Sequence, residues 1–238
     1  MCIMKTLMII ISLSFTICYG FVSAQTADAV YVQAMTKTVA KLDSSYTVPL
    51  LRQQKNQFDR IASKYTKEWL PVYYSAFCNI QSVYMNPKAD GNAILLDEAK
   101  EKLSGLDKFQ DIDKSEINTL WGYYYTAFIS LDPQTNGAKY FGQVISFYKE
   151  AIAQNEQNPR PLFLLAFFKT NLPAFMQQGK DLCAELSKAE ELYKTENRNS
   201  ITPHWGEEFL RMLKSKCVGS FRINKYIAAF LLLLSLKI

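Results

Sequence analysis

His204 is the sole imidazole in 238 residues, so any His-based metal site or catalytic dyad would have to be built around one ring. Turn-forming residues are also scarce. The chain's 9 Gly and 8 Pro are too few for an all-β sandwich or barrel, which needs a turn roughly every 8–12 residues. There is no C-x-x-C pair, so zinc-finger and thioredoxin-like chemistry lack their ligands. No G-x-S-x-G, H-E-x-x-H, P-loop or G-x-G-x-x-G motif occurs, which removes the common hydrolase, metalloprotease and nucleotide-binding signatures. What is present is apolar material: 49% of residues are hydrophobic, ample for a buried core in one or two domains.

A single-signed charge is missing as well. The 27 Lys and Arg outnumber the 22 Asp and Glu. Setting aside Lys5, Arg222, Lys225 and Lys237 leaves 23 bases against 22 acids in residues 25–217. A near-neutral body whose Lys and Glu alternate, as in Glu185 to Lys194, has the pattern of solvated helix faces and not of a nucleic-acid footprint.

The N-terminus reads as a secretory signal over residues 1–24. Lys5 supplies the positive start, Leu7 to Ile17 the apolar stretch, and Val22-Ser23-Ala24 the small-residue cleavage site. The stretch falls short of the roughly 20 apolar residues that span a bilayer. Export is expected, to the periplasm first and the extracellular space second. Three cysteines follow the signal: Cys78, Cys183 and Cys217. In an oxidising compartment Cys183 and Cys217 are the best candidates for a disulfide, with buried free thiols as the alternative.

Helical periodicity dominates the rest. Phe141, Val144, Ile145, Tyr148, Ala151 and Ile152 follow the i, i+3, i+4, i+7 rule, as do Ile117, Leu120, Trp121, Tyr124 and Phe128. Breakers at Asp43 to Ser45, Asn86 to Asn92, Asp132 to Gly137, Asn158-Pro159 and Asn199 to Pro203 divide the body (25–217) into helices. The expected spans are 26–43, 48–65, 67–85, 93–107, 115–131, 138–155, 160–176, 178–195 and 203–217. The fold class is therefore all-α. Residues 218–238 form a basic and apolar tail. Tyr226 to Leu236 would rise only about 16 Å as a helix, too short to cross a membrane. Three roles stay open for this tail: a cap on the helical body, an anchor at a membrane surface, or an appendage.

Tyr148 to Pro159 resembles the second helix and exit turn of a tetratricopeptide repeat, and Ile117-x-x-Leu120-Trp121-x-x-Tyr124 resembles its first helix. Trp121 departs from the small residue of the pattern. A weaker copy runs from Leu70-Pro71 and Tyr74 to Ala99, Leu103 and Leu106, and Tyr74 and Tyr124 lie 50 residues apart where the ideal period is about 34. The resemblance implies antiparallel helix hairpins stacked into a right-handed solenoid. It also implies a concave wall containing Glu68, Val72, Ser75, Asn118, Gly122 and Tyr125, which would hold a peptide or protein partner. On this reading the protein is an exported, non-catalytic scaffold needing no cofactor or metal. The alternatives are a carbohydrate-binding or carbohydrate-active helical protein, or a membrane-surface component. The former would use Tyr73, Tyr74 and Tyr123 to Tyr125 as an aromatic platform and Glu207-Glu208 or Asp97-Glu98 as paired acids.

Overall fold

A computed structural model describes residues 29–42, 47–172 and 182–218. The expected signal segment, the tail beyond residue 218 and the end of the expected 160–176 helix lie outside the described residues. Among these there are nine α-helices and no strand. They are α1 (29–42), α2 (Val48–Lys64), α3 (Leu70–Met85), α4 (Asn92–Ser104), α5 (Lys114–Leu131), α6 (Pro133–Gln154), α7 (Pro159–Thr170), α8 (Leu182–Tyr193) and α9 (Glu207–Lys214). Two short 3₁₀ turns follow α4 and α9, at Leu106–Lys108 and Ser215–Val218.

Helix starts follow local chemistry. Asp113, Asp132 and Asn158 each cap a helix, accepting from the backbone N–H of Glu116, Thr135 and Arg160 at 3.1 Å, as short polar side chains do at this position. Three expected boundaries move: α7 ends at Thr170 with Asn171 as its C-cap, and not at 176, and two helix starts shift. α6 begins at Pro133 and not near residue 138, because Asp132 caps it and proline's fixed φ suits a first helical turn that needs no N–H; Gly137 is absorbed into the helix. α9 begins at Glu207 and not at 203, after Gly206 takes a left-handed φ of +102°. A side chain there would meet the Tyr193 hydroxyl and the Phe163 ring, so only glycine fits.

From α2 to α9, consecutive helices pack on one another, and α3, α5 and α7 also touch in line. α3 lies at the centre: Tyr73, Ala76 and Ile80 are 0% exposed. Residues 197–206 cross the row formed by α3, α5 and α7. The Trp205 ring rests on Phe77 (centroids 4.6 Å) and Tyr123 (5.8 Å), its indole N–H donates to the Tyr73 hydroxyl at 2.9 Å, and the Tyr74 hydroxyl donates to the Ile201 carbonyl at 3.2 Å. Cys183 and Cys217 are joined by a disulfide with Cα atoms 5.8 Å apart, tying the start of α8 to the turn after α9. Cys78 is a buried free thiol.

The α2–α4 face holds a polar cluster. Asp59 accepts from Ser75 Oγ (2.6 Å) and Lys102 Nζ (2.8 Å), while Lys55 pairs with Glu98 (2.8 Å) and Asp59 (3.3 Å). Partial burial works against the Asp59 charge, but these donors win and hold its carboxyl below the ordinary range; the hydrogen bond from Lys55 does the same for Glu98. A carboxyl with a depressed folded pKa stabilises the fold above its ordinary pKa and loses that contribution as pH falls through the folded value. Asp59→Asn is expected to cost about 1–2 kcal/mol at pH 7 and to flatten the acid limb below pH 4. Urea titrations from pH 3 to pH 7 measure both; an unchanged acid limb would remove Asp59 as its source.

Candidate binding site

The α5–α6 hairpin is closed by one residue: Asp132 ends α5 and caps α6. So short a link makes the two helices antiparallel neighbours, and the Asn136 side-chain amide donates to the Phe128 carbonyl at 3.0 Å across the turn. Gly122 sets how closely they approach. A β-carbon there would sit 2.5 Å from Tyr148 Cε1, so the backbone of α5 lies directly against that ring. Ser115 Oγ donates to the Ala151 carbonyl at 2.8 Å, pinning the other end.

Along one side of this seam runs a series of half-buried aromatic rings. Trp121 lies near-parallel to Phe147 (5.9 Å, 17°), Phe147 to Tyr125 (5.6 Å, 15°), and Tyr125 to Tyr140 (5.7 Å, 27°). Phe128 meets Tyr140 edge-on at 5.2 Å. From Trp121 to Phe128 the helix rises about 10 Å, which sets the length of this aromatic shelf. Asn118 closes one end through a 3.0 Å hydrogen bond from its amide to Gln154 Oε1. Lys139 closes the other, its ammonium 5.1 Å from the Tyr140 ring centre.

The six wall residues expected from the repeat resemblance do not share one wall. Asn118, Gly122 and Tyr125 turn towards α6, with Gly122 covered by Tyr148. Ser75 is 0% exposed and committed to Asp59, and Glu68 is half-buried in the turn before α3. Val72 lines a crevice of about 340 Å³ with Lys55, Glu98, Lys102 and Lys108. Lys55 and Lys102 in that crevice are already matched by Asp59 and Glu98. Residues 197–206 lie against α3, α5 and α7, the helices on which the repeat resemblance would place its wall. The expected aromatic platform is mostly core: Tyr73, Tyr74, Tyr123 and Tyr124 are buried, and only Tyr125 reaches the surface. Trp121, Tyr140 and Phe147 complete the shelf. Their i, i+4 and i, i+7 spacing was visible in the sequence, but which face it marked depended on how α6 docks.

Three of the four paired acids are ion-paired, and Asp97 is exposed on α4. Glu207 pairs with Arg198 and Arg211, Glu208 with Arg211, and Glu98 with Lys55. His204 Nδ1 lies 2.9 Å from the Thr202 carbonyl oxygen. Among the described residues no group of three or more His, Cys, Asp or Glu is placed to hold a metal.

The most perturbed ionisable groups lie in the interior. Glu116 Oε1 accepts from Arg160 Nε (2.8 Å), Arg160 Nη2 (2.6 Å) and Asn158 Nδ2 (2.7 Å), while Oε2 accepts from the Tyr73 hydroxyl (2.7 Å). Arg160 Nη1 reaches Glu196 at 2.6 Å, and its guanidinium lies 5.9 Å from the Trp205 ring. Burial pushes the Tyr73 and Tyr193 hydroxyls and the Glu196 carboxyl up. Both oxygens of Glu116 are in use, so this network clamps helices together and offers no base or nucleophile to a substrate.

No protein-family model matches the sequence, and comparison with curated proteins found no match. Among solved structures the chain is similar to the HusA haemophore from Porphyromonas gingivalis, at 27% identity and a TM-score of 0.69, covering 81% of this chain and 96% of that one.

Proposed function

We propose that this chain is an exported, non-catalytic binding module that takes a porphyrin of the haem type on the α5–α6 aromatic shelf. The carrying observation is the similarity to a haemophore over nearly that protein's whole length. The shelf supplies a site of suitable chemistry: a row of half-buried aromatic rings whose exposed parts can meet a conjugated macrocycle through π contacts. Export rests on the N-terminal signal pattern, and no helix among the described residues is long and apolar enough to cross a membrane. The succession α3–α4, α5–α6, α7–α8 supports a reading as degenerate tetratricopeptide hairpins. A peptide on the expected concave wall is the weaker proposal, because the chain's own residues 197–206 lie against α3, α5 and α7.

Haem titration of the wild type should quench Trp121 emission and shift the Soret band. Tyr125→Ala with Phe147→Ala should weaken binding about tenfold or more, at roughly 0.5–1.5 kcal/mol for each aromatic contact. Tyr65→Ala, on a half-buried ring outside the shelf, serves as the control. Equal haem affinity in the double variant and the wild type would reject the shelf as the site.

A further inference from the structure

We propose that Lys139 reads a carboxylate on the edge of the bound macrocycle and so fixes which way round it lies; this rests on the porphyrin reading of the shelf. By the helical period, the residues that border the shelf on its solvent side along α6 are Lys139, Gln143, Ser146 and Glu150, and all four are exposed. Only the first and last are charged, with opposite signs, about 16 Å apart along the axis. The Lys139 ammonium lies over Tyr140 at 5.1 Å, the last ring of the parallel series, and makes no ion pair among the described residues. Glu150 accepts from Ser146 Oγ at 2.9 Å beside the Phe147 end. A planar ligand with carboxylates on one edge meets attraction at Tyr140 and repulsion near Phe147. Its acidic edge therefore lies at Lys139 and its hydrocarbon edge over Trp121 and Phe147. A neutral ligand gains nothing from this polarity and a basic one would lie the other way round, with its cation at Glu150, so the rim sets the orientation of an acidic macrocycle.

The test compares iron-free protoporphyrin IX with its dimethyl ester, in the same dilute cosolvent, on the full chain. The diacid should bind the wild type more tightly than the ester. Lys139→Gln should weaken the diacid about two- to fivefold, the range of an exposed charge pair, and Lys139→Glu about five- to tenfold. Each should leave the ester within about twofold. Raising salt to 1 M, where the screening length is about 3 Å, should erase the difference between wild type and variant. Diacid and ester binding alike, with Lys139→Glu changing neither, would overturn the role of Lys139 while leaving the shelf in place. Neither porphyrin binding the wild type would overturn both readings. Both variants leave a solvent-facing helix position, so circular dichroism should show an intact fold.

Discussion

Trp205→Ala should lower the unfolding free energy by about 3–5 kcal/mol, the range for truncating a large buried aromatic. In a domain of this size that is a drop in Tm of roughly 10 °C. The indole is 9% exposed although it lies in a segment without regular structure. It fills the space between Phe77 and Tyr123, carries the Arg160 guanidinium near its face and donates to the Tyr73 hydroxyl. Truncation opens a cavity along α3 and α5 and strips one donor from a buried hydroxyl. Trp205→Phe keeps most of the volume but loses the N–H and part of the bicyclic ring, so it should cost less than alanine, about 1–2 kcal/mol. Urea unfolding followed by far-UV circular dichroism separates the two variants. An alanine variant within 1 kcal/mol of the wild type would mean that residues 197–206 are not seated across the α3–α5–α7 row.

That segment shows where sequence reading stops. Asn199 to Pro203 has the composition of a plain helix breaker, and nothing local says that it returns to the first half of the chain. Its partners are remote: Tyr74 is 127 residues from Ile201, and Tyr73 is 132 from Trp205. Helix identity, by contrast, is written within each segment. Apolar spacing, Pro at the first helical turn and Asp or Asn at the caps place most elements to within a few residues. The error at α6 has the same root, since Asp132-Pro133 marks both a stop for α5 and a start for α6, and only the three-dimensional hairpin shows that one residue serves both. Repeat register likewise put Asn118, Gly122 and Tyr125 on an open wall. The Gly122–Tyr148 contact turns that face against α6 and leaves its aromatic edge, shared with Tyr140 and Phe147, at the surface.

The second large effect belongs to the buried ion network. Arg160→Met should cost about 3–5 kcal/mol at pH 7, the range for breaking a buried ion pair from one side. It leaves Glu116 and Glu196 in the interior without the cation they share, and Asn158 and Tyr73 as the remaining donors to Glu116. The loss should depend on pH with a definite sign. Burial already pushes the Glu196 carboxyl above its ordinary range, and Arg160 is what restrains that rise; without the guanidinium the folded-state value climbs further. A carboxyl whose folded pKa exceeds its unfolded one contributes stability below the unfolded value and loses it as pH rises through the folded one. The difference between variant and wild type should therefore be largest at pH 7–8 and shrink towards pH 5, opposite in direction to the acid limb set by Asp59. Urea midpoints of both proteins at pH 5 and pH 7.5 test this. A gap independent of pH would show that Arg160 contributes through packing on Trp205 and not through charge.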